Sequence, residues 1–274
     1  MTSHAHGEQH TAWASAARAA RFLSDVSAIA DVEVRKLRRD WTELLTRAVQ
    51  PTLWLLVFGQ VFGRIRAIPT GSVNYLEFLA PGILAQSVLF TAIFYGIAII
   101  WERDLGILQK LLVSPASRGA LVLGKAASAS VRGLAQTVII YVLAGVLGVR
   151  LRFDVGAVVG VVVAVSLGSA VFSTLSLIVA CLVKTRERFM GIGQVLTMPL
   201  FFASNAIYPL ELMPGWLQTV SRANPLSYLV DALRGLMIAG GHAVFGVALD
   251  FAVEIAALGF LVALAAKLYP TVAR

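Results

Sequence analysis

Apolar runs recur along this sequence at lengths set by a bilayer rather than by a globular core. A helix of about 20 apolar residues crosses roughly 30 Å of hydrocarbon. Runs that fit are Ala48–Gly63, Phe78–Trp101, Gly133–Val149, Val155–Val183 and Phe189–Leu210, with a sixth at Phe251–Ala266. With their flanks these predict spans at about 48–66, 78–101, 119–149, 155–183, 189–208 and 243–268. The first is short, but Arg47 and Arg64 can snorkel to the interfaces. The third takes Arg132 inside the helix, and Pro199 and Pro209 interrupt the fifth. The sixth carries Asp250 and Glu254 in its outer part. In the fourth, Gly156, Gly160, Ala164 and Gly168 recur every four residues. Small residues let helices approach closely where lipid supplies no hydrophobic drive, so this stripe is expected to pack on another span of the same chain.

Three segments are patterned differently. Over 31–50, Val32, Leu37, Trp41, Leu44, Leu45 and Val49 lie on one helical face, with Arg35, Arg38, Arg39, Asp40 and Glu43 opposite. This is a basic amphipathic helix of the kind that lies in the interfacial plane, with Pro51 marking a bend into span one. It serves either as a simple anchor or as a platform for a cytoplasmic partner. Over 104–113, Leu105, Leu108, Leu111 and Leu112 form a short apolar stripe closed by Pro115. Such a stripe fits a groove on another protein or lies on lipid. Over 208–240, Pro209, Pro214 and Pro225 interrupt an apolar segment containing Trp216, Leu226 and Leu233. That is too broken to span and too apolar for a free loop. Non-helical backbone at membrane depth must be buried in protein or face water, so a small outer cap or a surface amphipathic loop is expected.

Composition agrees with a polytopic all-α membrane protein. Of the 274 residues, 58% are hydrophobic and 14% charged, against roughly 45–50% and 25% in soluble domains. Mean hydropathy is +0.80. A water-soluble enzyme and a disordered chain are both excluded. The net charge of +8 lies between the spans, so it reports topology rather than a nucleic-acid partner. Sixteen Lys and Arg fall on the side of the two termini and six (Arg64, Arg66, Arg150, Arg152, Arg222, Arg234) on the other. The positive-inside rule then places both termini in the cytoplasm. Residues 1–30, with His4, His6 and His10, read as a flexible tail, and 1–47 hold no signal-peptide core. The 18 Arg against 5 Lys, with abundant Ala and Val, point to a GC-rich bacterial genome and so to a bacterial plasma (inner) membrane.

Glu102, Arg103, Asp104, Gly106, Leu108, Leu111, Pro115 and Arg118 form a pattern similar to the cytoplasmic signature of the type-2 ABC exporter permease family. Asn224-Pro225-Leu226-Ser227-Tyr228, followed by Asp231, Arg234 and Gly235, resembles the outer signature before that family's last span. The drug-resistance, daunorubicin-type branch is the nearest. The resemblance implies a domain over 31–270 with a second permease subunit, identical or related. It also implies a separate cytoplasmic ATPase carrying the ATP and Mg. The 31–50 segment would be the interface helix, 104–113 (with Leu105) the coupling helix, and 208–240 short re-entrant helices. Cargo in that family is an amphipathic drug, a lipid or a polysaccharide, moved outward.

Other chemistry is thin. Gly119, Gly124 and Lys125 imitate a phosphate-binding loop, but Ala126 stands where a Mg-ligating hydroxyl is required. No His-Glu-x-x-His occurs, His242 alone builds no zinc site, and Cys181 is the only cysteine. No catalytic or metal residue is therefore assigned. A substrate path or cap would draw on Asn205, Trp216, Tyr228, Asp231, Arg234, Asp250 and Glu254. Asp250 and Glu254, one turn apart, sit at the outer headgroup level, attract a cationic cargo or relay protons. The last option would make the chain a gradient-driven secondary transporter, although no internal repeat is present. Arg132 can snorkel inward, and Asn205 can satisfy backbone groups freed near Pro199.

Overall fold

The structure is a computed structural model and describes residues 46, 49–65, 68–70, 73–105, 118–183 and 185–268. The tail, the body of the expected interface helix with Arg35, Arg38, Arg39 and Trp41, and residues 106–117 of the coupling segment lie outside these residues.

Among the described residues the chain forms eight helices and no strand. They are α1 (49–65), α2 (Tyr75–Asp104), α3 (Arg118–Val146), α4 (Val155–Leu182), α5 (Arg186–Phe202), α6 (Gly215–Ala223), α7 (Pro225–Met237) and α8 (Val247–Leu268). Four of them (α2, α3, α4 and α8) are long and apolar enough to cross a membrane. α5 has 17 residues, about 26 Å at 1.5 Å per residue. Helices α2 and α4 form the centre. α4 packs on α2, α3, α7 and α8, while α2 also carries α1 and α5. Leu79, Ile83, Leu84, Leu89, Phe172, Leu229 and Leu233 fill the core between them. A second apolar cluster (Ile100, Val122, Leu177, Phe189 and Ala265) closes the end where α2 leaves the bundle.

The helix starts are explained by caps. Asp154 accepts from the Ala157 amide at 3.0 Å, which holds its carboxyl below the usual carboxylate range. Thr185 caps α5, and Asn224 caps α7 with Pro225 following it. At the start of α2, Glu77 reaches back to the Asn74 amide at 2.9 Å and pairs with Arg150 at 2.8 Å, which raises the Arg150 pKa.

Several sequence expectations change. Helix α1 continues through Pro51, and its hydrogen bonding turns π-helical over Trp54–Gly59. The fifth helix, expected to reach 208, stops at Phe202. The Asn224 side chain donates to the carbonyls of Leu200 and Ala203, so the last turn finds its partners outside the helix and the chain turns away. The last helix begins at Val247 rather than 243, directly after Gly246 at φ +94°. The small-residue stripe meets α7, not another span. A Cβ on Gly160 would fall 2.8 Å from Leu236, and one on Gly168 2.5 Å from Leu229. The 208–240 segment folds as a 3-10 turn, Leu210–Leu212, followed by α6 and α7. Backbone bonds from Arg152 to Met237 and from Ala239 to Arg150 flank a bridge between Leu151 and Ile238 and tie the exit of α7 to the α3–α4 turn.

Candidate transport site

Three places bring polar or aromatic groups together. The first is the end of α2. Asp104 pairs with Arg186 at the start of α5 at 3.0 Å, and that guanidinium lies 3.5 Å over the Trp101 ring. A cation held on an aromatic face and by a carboxylate fixes its plane and position. The clasp therefore sets where the chain leaves α2 for the 104–113 segment. Leu105 is exposed there, and its amide donates to Trp101 O at 3.0 Å. Leu108, Leu111 and Pro115 lie outside the described residues, as does Gly106, and of Glu102, Arg103 and Arg118 only the helical backbone is described. Gly119–Lys125 falls within the first two turns of α3, not in a loop between strand and helix.

The second is a cavity of about 470 Å³ between α1, α2 and α3. Gln50, Gln86, Ser87, Thr91 and Gln136 line it with Phe90 and Phe94, and none of its described lining residues is charged. Gln86 on α2 and Gln136 on α3 are both buried. Amides and hydroxyls beside two rings can hold a neutral or amphipathic molecule by hydrogen bonds along one side and by stacking along the other. A search for charged residues at membrane depth passes over this set. The usable signal was two isolated glutamines inside long apolar runs.

The third is the α7 cap. Asn205, Asp231 and Arg234 come together here, all buried. Arg234 Nη2 donates to the Asn205 backbone carbonyl at 2.8 Å, and Asp231 accepts from the Phe245 amide at 2.7 Å. Tyr228 donates to Arg222 O at 2.7 Å and lies 4.9 Å from the Phe245 ring. Trp216 is not part of this group: it stands exposed on α6. Arg132 lies over the Tyr95 ring at 5.1 Å.

Asp250 and Glu254 are not solvated at a surface; both are buried along α8, the helix packed on α4 and α7. None of their four carboxylate oxygens has a hydrogen-bond partner among the described residues. A buried polar group without a partner costs stability, and an apolar residue of the same shape removes that cost. Glu254→Met is thus expected to raise unfolding stability by about 1–3 kcal/mol, and Glu254→Lys to lower it. Thermal unfolding of the detergent-purified chain measures both. A Met variant less stable than the parent would show that the carboxylate has a role in holding the fold.

Residues 24–238 match the ABC-2 type transporter family. The ycf38 protein of Cyanophora paradoxa, named as a transport permease, is 32% identical over 203 residues, covering 73% of this chain and 70% of its own. DrrB1 of Streptomyces coeruleorubidus, named as a daunorubicin resistance ABC transporter permease, is 29% identical over 204 residues, 71% of this chain and 68% of its own. DrrC of Mycobacterium tuberculosis, named for doxorubicin resistance, is 28% identical over 203 residues, 74% and 72% of the two chains.

Proposed function

The chain belongs to the ABC-2 type transporter family, and from that premise we propose that it is the permease subunit of an exporter that moves an amphipathic drug or lipid out of a bacterial cell. It sits in the plasma membrane with six spans, α1 and α5 being the two short ones, and with both termini in the cytoplasm. A separate ATPase subunit binds ATP and Mg, and a second permease subunit completes the path. The 104–113 segment seats in the ATPase. When nucleotide closes the ATPase pair, the movement passes through the Trp101–Asp104–Arg186 clasp into α2 and α5. Cargo is driven outward only so far as it and the nucleotide favour different permease states.

The observation that carries this reading is the extent of the family match, which contains both the 102–118 and the 224–235 signatures. The cavity whose described lining includes Gln86, Gln136, Phe90 and Phe94 and no charged residue supports an amphipathic cargo over a strongly charged one. The names of the DrrB1 and DrrC relatives point to aromatic drugs.

The test is reconstitution in lipid vesicles with a fluorescent anthracycline as cargo. ATP-dependent transport is expected when chain and ATPase are both present and not with either alone. The buried Asp250 and Glu254 favour a second reading, the gradient-driven transporter. Transport by the chain alone under a proton gradient, abolished by Asp250→Asn with Glu254→Gln, would replace the first reading with the second.

A further inference from the structure

A pocket of about 190 Å³ opens between α2, α7 and the loops around 205–211 and 241–244. At about 30 Å³ per water this is roughly six water volumes, enough for a tetrahedral oxyanion but not for a whole amphipathic molecule. Arg234 and Asn205 line it, and the two side chains are 6% and 1% exposed. The guanidinium lies on the Phe78 ring at 3.8 Å, and its Nη2 is used by the Asn205 carbonyl at 2.8 Å. Among the described residues its Nε has no hydrogen-bond partner and no carboxylate forms an ion pair with it. Both polar atoms of the Asn205 side-chain amide are likewise without a partner. A buried cation and a buried amide with unused donors are costly unless an acceptor completes them. The aromatic face and the backbone carbonyl already fix the plane of the guanidinium, and a planar fork held this way is suited to carboxylate and phosphate.

We propose that this pocket is an oxyanion site, taking the phosphate or carboxylate group of its ligand against Arg234 with the Asn205 amide as a second donor. Exposed Glu211 also lines the pocket, and Asp231, buried one turn back on α7, acts on the guanidinium more strongly. Their charges oppose the anion, limit the affinity and favour ligands that carry an amine beside the oxyanion. The site does not rest on the permease reading, because binding needs neither ATP nor a partner subunit.

The full chain in an uncharged detergent is titrated with inorganic phosphate by calorimetry. In parallel, its retention of phosphatidylglycerol is compared with that of diacylglycerol by native mass spectrometry. Phosphate binding points to a soluble oxyanion, selective retention of phosphatidylglycerol to a lipid headgroup, and either supports the site. Arg234→Gln is expected to weaken binding by about tenfold or more. Because Arg234 is buried, two rim variants keep the test decisive. Glu211→Gln should strengthen phosphate binding by about threefold, and Val244→Trp, at an exposed lining position, should block it. Neither probe binding above its control, or both rim variants binding as the parent does, overturns the proposal.

Discussion

If the chain works as proposed, Leu108→Asp or Leu111→Asp is expected to leave it inserted and paired with an ATPase subunit but to cut ATP-driven export by about tenfold or more, while ATP hydrolysis by the complex continues. The size follows from the chemistry of an apolar stripe seated in a groove. Truncating an anchor at the centre of such a contact costs about 2 kcal/mol or more, and each 1.4 kcal/mol is a factor of ten. A carboxylate does more than truncate, because it must be stripped of water to enter the groove. The two leucines belong to the segment that follows α2 in the sequence, and the end of α2 is held by Arg186 on Trp101 and Asp104. The measurement is cargo uptake into inside-out vesicles alongside phosphate release by the same complex. Variants that transport at the parental rate would remove 104–113 from the coupling path.

Gly82→Val is expected to destabilise the bundle by about 3 kcal/mol or more, at the top of the range for overpacking. A Cβ at Gly82 would stand 2.3 Å from the carbonyl oxygen of Ala206, and backbone has no rotamer with which to yield. The loop that must shift is the one carrying Asn205, so the pocket at Arg234 is lost along with the stability. Gly191→Ala on α5 is the control. Nothing lies within 4 Å of a Cβ there, and alanine in an exposed helix gains about 0.5–1 kcal/mol over glycine. Thermal unfolding in detergent distinguishes the two. Equal midpoints for both variants would show that α2 and the 203–209 loop are not in contact in the folded protein.

What the sequence made legible was the long helices and the broken character of 208–240, because apolar run length and proline spacing act locally. The end of α5 was not legible, because the group that ends it, Asn224, sits more than twenty positions on and arrives only when α7 docks. The glycine stripe of α4 announced close packing but not its partner; the leucines of α7 that fill it carry no matching small-residue signal. The spacing of Asp250 and Glu254 puts them on one helix face, but it is the same whether that face meets headgroups or protein. The glutamine-lined cavity depends on α1, α2 and α3 converging, and one amide in a long apolar run does not interrupt the run.

The bridge between Leu151 and Ile238 bears on how the cap can behave. The bonds on either side of it, at 2.9 and 2.8 Å, run between main-chain atoms, so no exchange of side chain other than proline can sever them. Substitutions here other than proline therefore leave both donors and both acceptors in place. A movement that separates the end of α7 from the α3–α4 turn has to break both bonds.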